Sequence, residues 1–413
     1  MRHMKWLLAL EALVLCAVLV VGGAAQGEPW SAYLYNNLTR ELVRVSLDGT
    51  QQAFDLGLGE NVYLGMRDTD FTSDGGTMAY CLSDYTAVNP QALTAPPTAL
   101  ITRDLQSGAT NYQVDVGPTI GCWATYSQDN SRIAVGMVRY YPGDPSADTT
   151  QPSWELQVRD AVSGNLVAQL SPFSQAAPQL GLFNDFALMP DVRSFVGDVI
   201  AFAGLPWGTE GIPIEPAFEW NFSANTVTPN DVWWRWAVSS LPETGEMVWL
   251  DVDSTLPVGD PGGPVPRMNV AMYAPSPEGE RTVIFHSPDW ILLATQFIDN
   301  GERIALQLLE PFDPNSALPS ARTRWVAVDR QGNVSELATN EGYSQVVGAP
   351  DGFLHLYATS AEANTTMNLE YHSGGTSTTL WSGQSENSGA AWTLLWSQPV
   401  PTSAGLQAFS AAG

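Results

Sequence analysis

The sequence predicts an all-β ring, a seven-bladed β-propeller closed by pairing its N- and C-terminal strands, and three observations predict it. A turn signature returns about every fifty-five residues, a second series of turns follows it, and helical periodicity is missing after Ala25. The clearest copy of the signature is Phe71-Thr72-Ser73-Asp74-Gly75-Gly76-Thr77-Met78-Ala79-Tyr80. An aromatic, small polar residues, Asp-Gly and an apolar run read as strand, tight turn, strand, because Gly supplies the positive φ that hairpin turns need.

Further copies stand at Tyr126-Ser127-Gln128-Asp129-Asn130, Phe297-Ile298-Asp299-Asn300-Gly301 and Ala349-Pro350-Asp351-Gly352. Degenerate copies fall at Met189-Pro190-Asp191 and Pro242-Glu243-Thr244-Gly245, and a weak one at Ser403-Ala404-Gly405. Their anchors, at 74, 129, 191, 243, 299, 351 and 403, are 55, 62, 52, 56, 52 and 52 residues apart. The second series comprises Asp48-Gly49, Ser107-Gly108, Ser163-Gly164, Ala224-Asn225, Glu278-Gly279, Gln331-Gly332 and Gly374-Gly375. Seven turns of each kind imply seven four-stranded units. The unit containing Asp48-Gly49 has no anchor before it, so its inner strand is expected from the C-terminus, over Ala391 to Gln398.

In chain order, Met1 to Lys5 carries Arg2 and Lys5, and Trp6 to Ala25 is mostly apolar, ending in Gly22-Gly23-Ala24-Ala25. That pattern reads as a signal peptide over residues 1–25. A retained membrane anchor is the alternative, with Glu11 inside it at a cost of a few kcal/mol. Either reading places the propeller, residues 26–413, outside the cytoplasm, and limits membrane contact to the N-terminal segment. Strands are then expected at Ala32–Asn36, Glu41–Leu47 and Gln51–Leu56, at Met78–Leu82, Leu100–Asp104 and Asn111–Val116, and at Ile133–Arg139, Glu155–Arg159 and Leu166–Leu170. Long loops interrupt the units at Ala87–Thr98, Tyr141–Ser153, Leu205–Pro216, Thr255–Pro266 and Pro311–Ala321. Their corresponding places in the units bring all five to one face of the disc, where function is expected.

The chain has 17 Lys plus Arg against 43 Asp plus Glu, a formal net charge of −26. Such a field repels nucleic acid and anionic headgroups. Beyond residue 25 only Cys81 and Cys122 remain. They fall on adjoining units, and in an oxidising compartment a disulfide is expected, with two buried free thiols as the alternative.

The repeats at Phe71-Thr72-Ser73-Asp74-Gly75 and Ala349-Pro350-Asp351-Gly352 resemble those of the bacterial TolB-type, WD-like propeller family, whose units carry Phe, Ser-Pro-Asp-Gly and an apolar strand. Pro is missing from the first copy and the aromatic from the second. The resemblance implies a fold and an extracytoplasmic habit; because that family mixes scaffolds with domains of enzymes, it implies no activity.

Chemistry is thinly supplied. There is no Gly-x-Ser-x-Gly nucleophile elbow and no phosphate-binding glycine loop. His355 and His372 fall on successive strands with Glu370 near them, which allows a small metal or acid–base cluster, although neighbouring strands gather polar residues for structural reasons too. Asp68, Asp70 and Asp74 are the best cation candidates, since alternate carboxylates ending in Asp-Gly offer calcium hard oxygen ligands. Asp74 also has a simpler role as the turn residue of its repeat. Asp251, Asp253 and Asp260 form a second acidic group. Of the 15 tryptophans, the Trp233-Trp234-Arg235-Trp236 cluster reads as packing between units, with stacking on a sugar or a partner protein as the alternative, and Trp207, inside a long loop, as a contact residue. The expectation is a non-catalytic scaffold binding a protein or glycan through the loop face, with Tyr141, Trp207 and Asp260 as contact candidates. The alternative is a propeller enzyme, a lyase or glycoside hydrolase with carboxylates at the channel mouth.

Overall fold

The computed structural model describes residues 31–56, 58, 62–63, 69–87, 95–140, 152–171, 188–206, 217–229, 236–241, 244–256, 265–276, 279–310, 323–340, 342–349, 351–360, 362, 364–386 and 391–397. They form seven antiparallel sheets arranged as the blades of a propeller. Blade 1 contains β1 (Ser31–Asn36), β2 (Glu41–Ser46) and β3 (Gln51–Asp55). Blade 2 contains β4 (Val62–Tyr63), β5 (Thr69–Phe71), β6 (Thr77–Asp84), β7 (Pro97–Asp104) and β8 (Thr110–Pro118), with β4 and β5 both paired to β6. Blade 3 is β9 (Gly121–Tyr126), β10 (Arg132–Tyr140), β11 (Pro152–Asp160) and β12 (Leu166–Leu170). Blade 4 is β13 (Leu188–Val196), β14 (Val199–Pro206), β15 (Ala217–Asn221) and β16 (Thr226–Pro229). Blade 5 is β17 (Trp236–Leu241), β18 (Glu246–Leu256), β19 (Val265–Ala274) and β20 (Thr282–His286). Blade 6 is β21 (Ile291–Ile298), β22 (Arg303–Leu309), β23 (Thr323–Asp329) and β24 (Val334–Asn340). Blade 7 is β25 (Ser344–Ala349), β26 (Gly352–Ala358), β27 (Thr365–Ser373) and β28 (Thr376–Ser385).

The ring closes as the sequence predicts. The last strand, β29 (Trp392–Ser397), pairs with β1 as the fourth strand of blade 1, with Asn36 opposite Trp392 and Ala32 opposite Ser397. One repeat is displaced from its expected place. Met189-Pro190-Asp191 lies inside β13, and the turn of blade 4 is at Val196-Gly197-Asp198. Pro190 is tolerated there because its carbonyl, which accepts a 2.6 Å bond from Trp123 Nε1, rather than an N–H, makes the cross-blade link. The copy expected at Ser403 lies outside the described residues, as do the signal segment and the Trp233–Arg235 cluster.

The core is a series of filled boundaries between blades, since each blade buries both faces. Tyr33, Phe71, Tyr80 and Trp396 pack between blades 1 and 2, and Ala79, Leu100, Ala124 and Val135 between blades 2 and 3. Trp154, Leu156, Phe202 and Trp220 fill the boundary of blades 3 and 4. Leu250, Ala271, Leu306 and Val328 join blades 5 and 6; Ala305, Trp325, Val346 and Phe353 join blades 6 and 7. Leu354, Leu369, Trp381 and Leu394 join blade 7 to blade 1.

Alternating strand direction puts the turn between first and second strands on the same side of the disc as the turn between third and fourth. On that side the inner turns also hold one another. Asn130 Nδ2 donates to Ser73 Oγ (2.9 Å) while its Oδ1 accepts from Ser73 N (3.1 Å), linking blades 3 and 2. Asn300 repeats the arrangement on Asp351, with 2.7 Å to Oδ1 and 3.2 Å from the backbone N–H, linking blades 6 and 7.

Candidate binding face

The opposite side of the disc carries the connections between second and third strands. In blades 2 to 6 these are residues 85–96, 141–151, 207–216, 257–264 and 310–322. All five long loops expected from the sequence therefore join the same pair of strands and root on one rim, including 257–264. In blades 7 and 1 the corresponding connections are only 359–364 and 37–40. Connections of eight to thirteen residues thus occupy this position in five consecutive blades, and connections of six and four residues in the other two. Tyr141, Trp207, Asp260 and Asp68 lie outside the described residues.

The short connection of blade 1 is fully described. Buried Asn36 organises it: its Oδ1 accepts from Leu38 N (2.9 Å) and Thr39 N (3.0 Å), and its carbonyl accepts from Arg40 N (2.7 Å). Leu38, Thr39, Arg40, Asp55 and Leu58 line a shallow depression of about 330 Å³ beside it.

Other polar groups flagged by the sequence serve the framework. Asp70 Oδ2 accepts from Tyr126 N (2.7 Å) and so ties blade 2 to blade 3. Asp74 Oδ1 accepts from Thr72 Oγ1 (2.6 Å) and Gly76 N (2.9 Å), as a turn residue does. The Thr72 bond foremost, with the Gly76 bond, holds the Asp74 carboxyl below its ordinary range. Among the described residues no group of three or more His, Cys, Asp or Glu is placed to hold a metal ion. Cys81 of β6 and Cys122 of β9 form a disulfide across the boundary of blades 2 and 3, with Cα atoms 5.8 Å apart.

His355, His372 and Glu370 do come together on one face of blade 7. Tyr357 Oη donates to Glu370 Oε1 (2.8 Å), and Glu370 Oε2 lies 3.3 Å from His372 Nε2, whose ring stacks on Phe353 at 4.6 Å. His355 is 4 % exposed and its Nε2 meets Ser344 Oγ at 2.9 Å and Asn340 Nδ2 at 3.1 Å. Burial, reinforced by His372, pushes the His355 pKa down to about 3, so its imidazole is a neutral acceptor. Burial also lowers His372, against the opposing pull of Glu370.

A further polar ladder was not legible in the sequence. Arg139 Nε lies 2.9 Å from Glu155 Oε2, Gln157 Nε2 bonds Glu155 Oε1, Arg159 Nε donates to Gln157 Oε1 (2.8 Å), and Arg159 Nη1 donates to Gly164 O (2.8 Å). Glu155, Gln157 and Arg159 are all buried on the face of β11 opposite Trp154, Leu156 and Val158.

No family model matches the chain, and no curated protein sequence matches it. Solved structures do. Prolyl oligopeptidase B from Galerina marginata matches at 10% identity and a TM-score of 0.51, over 87% of this chain and 50% of that one. TolB from Acinetobacter baumannii matches at 12% identity and a TM-score of 0.39, over 76% of this chain and 65% of that one. An ulvan lyase of polysaccharide lyase family PL25 matches at 9% identity and a TM-score of 0.45, over 78% of this chain and 86% of that one. The chain spans about half the length of the peptidases it matches. At such identities the likeness is one of fold.

Proposed function

We propose that the protein is an extracytoplasmic recognition scaffold that binds a protein or glycan partner through its loop face without catalysis. The observation that carries this reading is positional. Five long connections from consecutive blades root on one rim, while on the other face the strands are joined by short turns, of which those of blades 2 and 3 and of blades 6 and 7 bond to each other. Segments far apart in sequence are gathered on a rigid ring, and preorganised contacts lose little entropy on binding. Pro142, Pro145, Pro152, Pro257, Pro261, Pro264 and Pro266 restrict φ in and beside two of the connections. The strong negative charge disfavours nucleic acid and anionic membranes as partners.

Replacing residues 141–151 and 257–264 by short Gly-Ser turns tests the reading. The shortened protein should melt as the parent does and lose partners captured by the intact protein from its native envelope. A folded variant that retains every partner would overturn it. The second reading, a propeller enzyme, draws on the Tyr357–Glu370–His372 group, where a carboxylate lies 3.3 Å from an imidazole nitrogen, a pairing that acid–base catalysis can use. Turnover of a polysaccharide by the parent, abolished in His372→Ala, would establish that reading in place of the first.

A further inference from the structure

Among the described residues Arg132, Arg139, Arg193, Arg303, Arg324 and Arg330 each lie against an aspartate or glutamate. Arg44, on β2, does not. It is partly buried, its Nε is shielded from solvent without a hydrogen-bond partner, and among the described residues no carboxylate pairs with it. The chain has 43 Asp plus Glu against 17 Lys plus Arg, so acceptors are in surplus everywhere else. A shielded guanidinium without an acceptor is costly.

Strand register fixes where Arg44 points. It stands opposite Tyr33 on β1, and Arg103 of β7 stands opposite Met78 on β6. Directly opposed residues share a face of the sheet. Tyr33 and Met78 both belong to the cluster between blades 1 and 2, so the two arginines project into that boundary from its two walls. Each lies within two residues of the end of its strand, on the side of the short turns. Gln52, opposite Arg44, and Gln113, opposite Ile101, add an exposed amide to each wall. Arg103 Nε donates to Gly108 O (3.0 Å), and Arg103 also has no ion pair among the described residues.

This outer groove is therefore rich in donors, two guanidiniums and two amides. The turns at its mouth carry Asp48, Asp74 and Asp104, whose carboxylates accept from Thr50 N (2.9 Å), Gly76 N (2.9 Å) and Ser107 N (2.6 Å) within their own turns. Their charges oppose a dianion more than a monoanion. A carboxylate also matches the planar fork of a guanidinium, accepting two parallel bonds.

We propose that the outer groove between blades 1 and 2 binds a carboxylate group, with Arg44 as its main contact and Arg103 as the second cation. The groove opens on the side of the short turns, so the inference stands apart from the reading of the loop face.

The test compares the intact protein with Arg44→Gln, Arg103→Gln and Arg281→Gln, the last an exposed arginine of blade 5 outside the groove. Methyl glucuronide and N-acetylglycine supply a sugar and a peptide carboxylate, and methyl glucoside and N-acetylglycinamide are their neutral counterparts. All four are titrated at constant ionic strength by saturation-transfer NMR, with inorganic phosphate as competitor. At least one carboxylate should bind the parent saturably while its neutral counterpart does not; binding of only one supports the site and identifies the source of the group. Arg44→Gln should weaken that binding at least about tenfold, Arg103→Gln should weaken it too, and Arg281→Gln should leave it unchanged. Arg44→Gln should also melt no lower than the parent, because no internal partner is lost. Saturable binding that Arg44→Gln retains would overturn the site, as would a parent that binds neither carboxylate or from which phosphate displaces the carboxylate at a lower concentration than the carboxylate itself requires.

Discussion

At Gly136 the space for one methyl group is already taken. A Cβ there would lie 2.1 Å from Trp123 Nε1 and 2.6 Å from Pro190 O, because the indole crosses the glycine to reach that carbonyl on blade 4. Gly136→Ala must displace the ring and break the link, so it should cost about 1–3 kcal/mol, read as a lower urea midpoint at unchanged slope. Gly108→Ala is the control: its φ is +72° but nothing lies within 4 Å, so only about 1 kcal/mol of backbone strain is expected. Equal costs at the two positions would refute the packing account. His355 supports a second prediction. Its folded pKa of about 3 lies below the ordinary 6.5, so between those values the unfolded chain binds a proton that the native ring refuses. The His355 contribution is therefore present above about pH 6.5 and lost as pH falls towards 3. Around the ring stand Ser344, Asn340, Tyr357 and His372, and Glu370 lies on the far side of His372. His355→Gln should flatten the fall in melting temperature between pH 6.5 and 4; profiles parallel to the parent's would show that other groups carry it.

At the scale of elements, Asp residues build the outer turns of several blades. Asp48, Asp104, Asp160 and Asp329 each open an outer turn and accept backbone N–H bonds, from Thr50 (2.9 Å), Ser107 (2.6 Å), Ser163 (2.8 Å) and Asn333 (2.8 Å). Those backbone bonds lead in lowering the first three carboxyls, and the Asn333 side chain leads for Asp329. Local chemistry of this kind is legible because it acts within a few residues. Met189-Pro190-Asp191 misled for the same reason: its residues suit a turn, but pairing with β14 draws them into a strand and leaves the turn to Gly197-Asp198. The Arg139–Glu155–Gln157–Arg159 ladder was hidden by the opposite effect. Alternating polar residues in a strand read as a solvated face, yet here they are buried, on the face turned away from blade 4. The loop face was legible as a set of corresponding insertions, whereas the groove at Arg44 was not, because an arginine in a strand reads the same whether or not a carboxylate meets it. The Cys81–Cys122 link joins two blades, so the denatured, unreduced protein should show no titratable thiol beyond residue 25. Cys81→Ala with Cys122→Ala should cost about 2–4 kcal/mol. Two reactive thiols in the untreated protein would dispose of the bridge.

For the molecule as a whole, stability depends on a strand drawn from the far end of the chain. β29 contributes to two boundaries at once: Trp396 packs with Tyr33 and Phe71 towards blade 2, while Trp392 and Leu394 join the cluster towards blade 7. The Tyr33 ring lies 4.9 Å from Phe71 and 5.7 Å from Trp396, and Tyr33 Oη donates to Gly75 O (2.9 Å) in the first inner turn. From the other side Gln345 of blade 7 holds the strand, Nε2 to Leu394 O (3.0 Å) and Oε1 from Leu394 N (3.1 Å), and Ser397 Oγ donates to Gly348 O (3.1 Å). A ring without β29 would expose an unpaired edge of β1 and open both boundaries, which no local repacking restores. Deleting residues 389–413 should therefore replace a cooperative thermal transition by a broad one, with apolar surface that binds a hydrophobic dye. Trp396→Ala is the graded version. It keeps the strand and removes its largest contact with blade 2, so a cooperative transition should persist with stability lowered by about 3–5 kcal/mol. A truncated chain that melts as sharply and as high as the parent would mean that blades 2 to 7 are stable as an open arc and that β29 is not the closure of this ring.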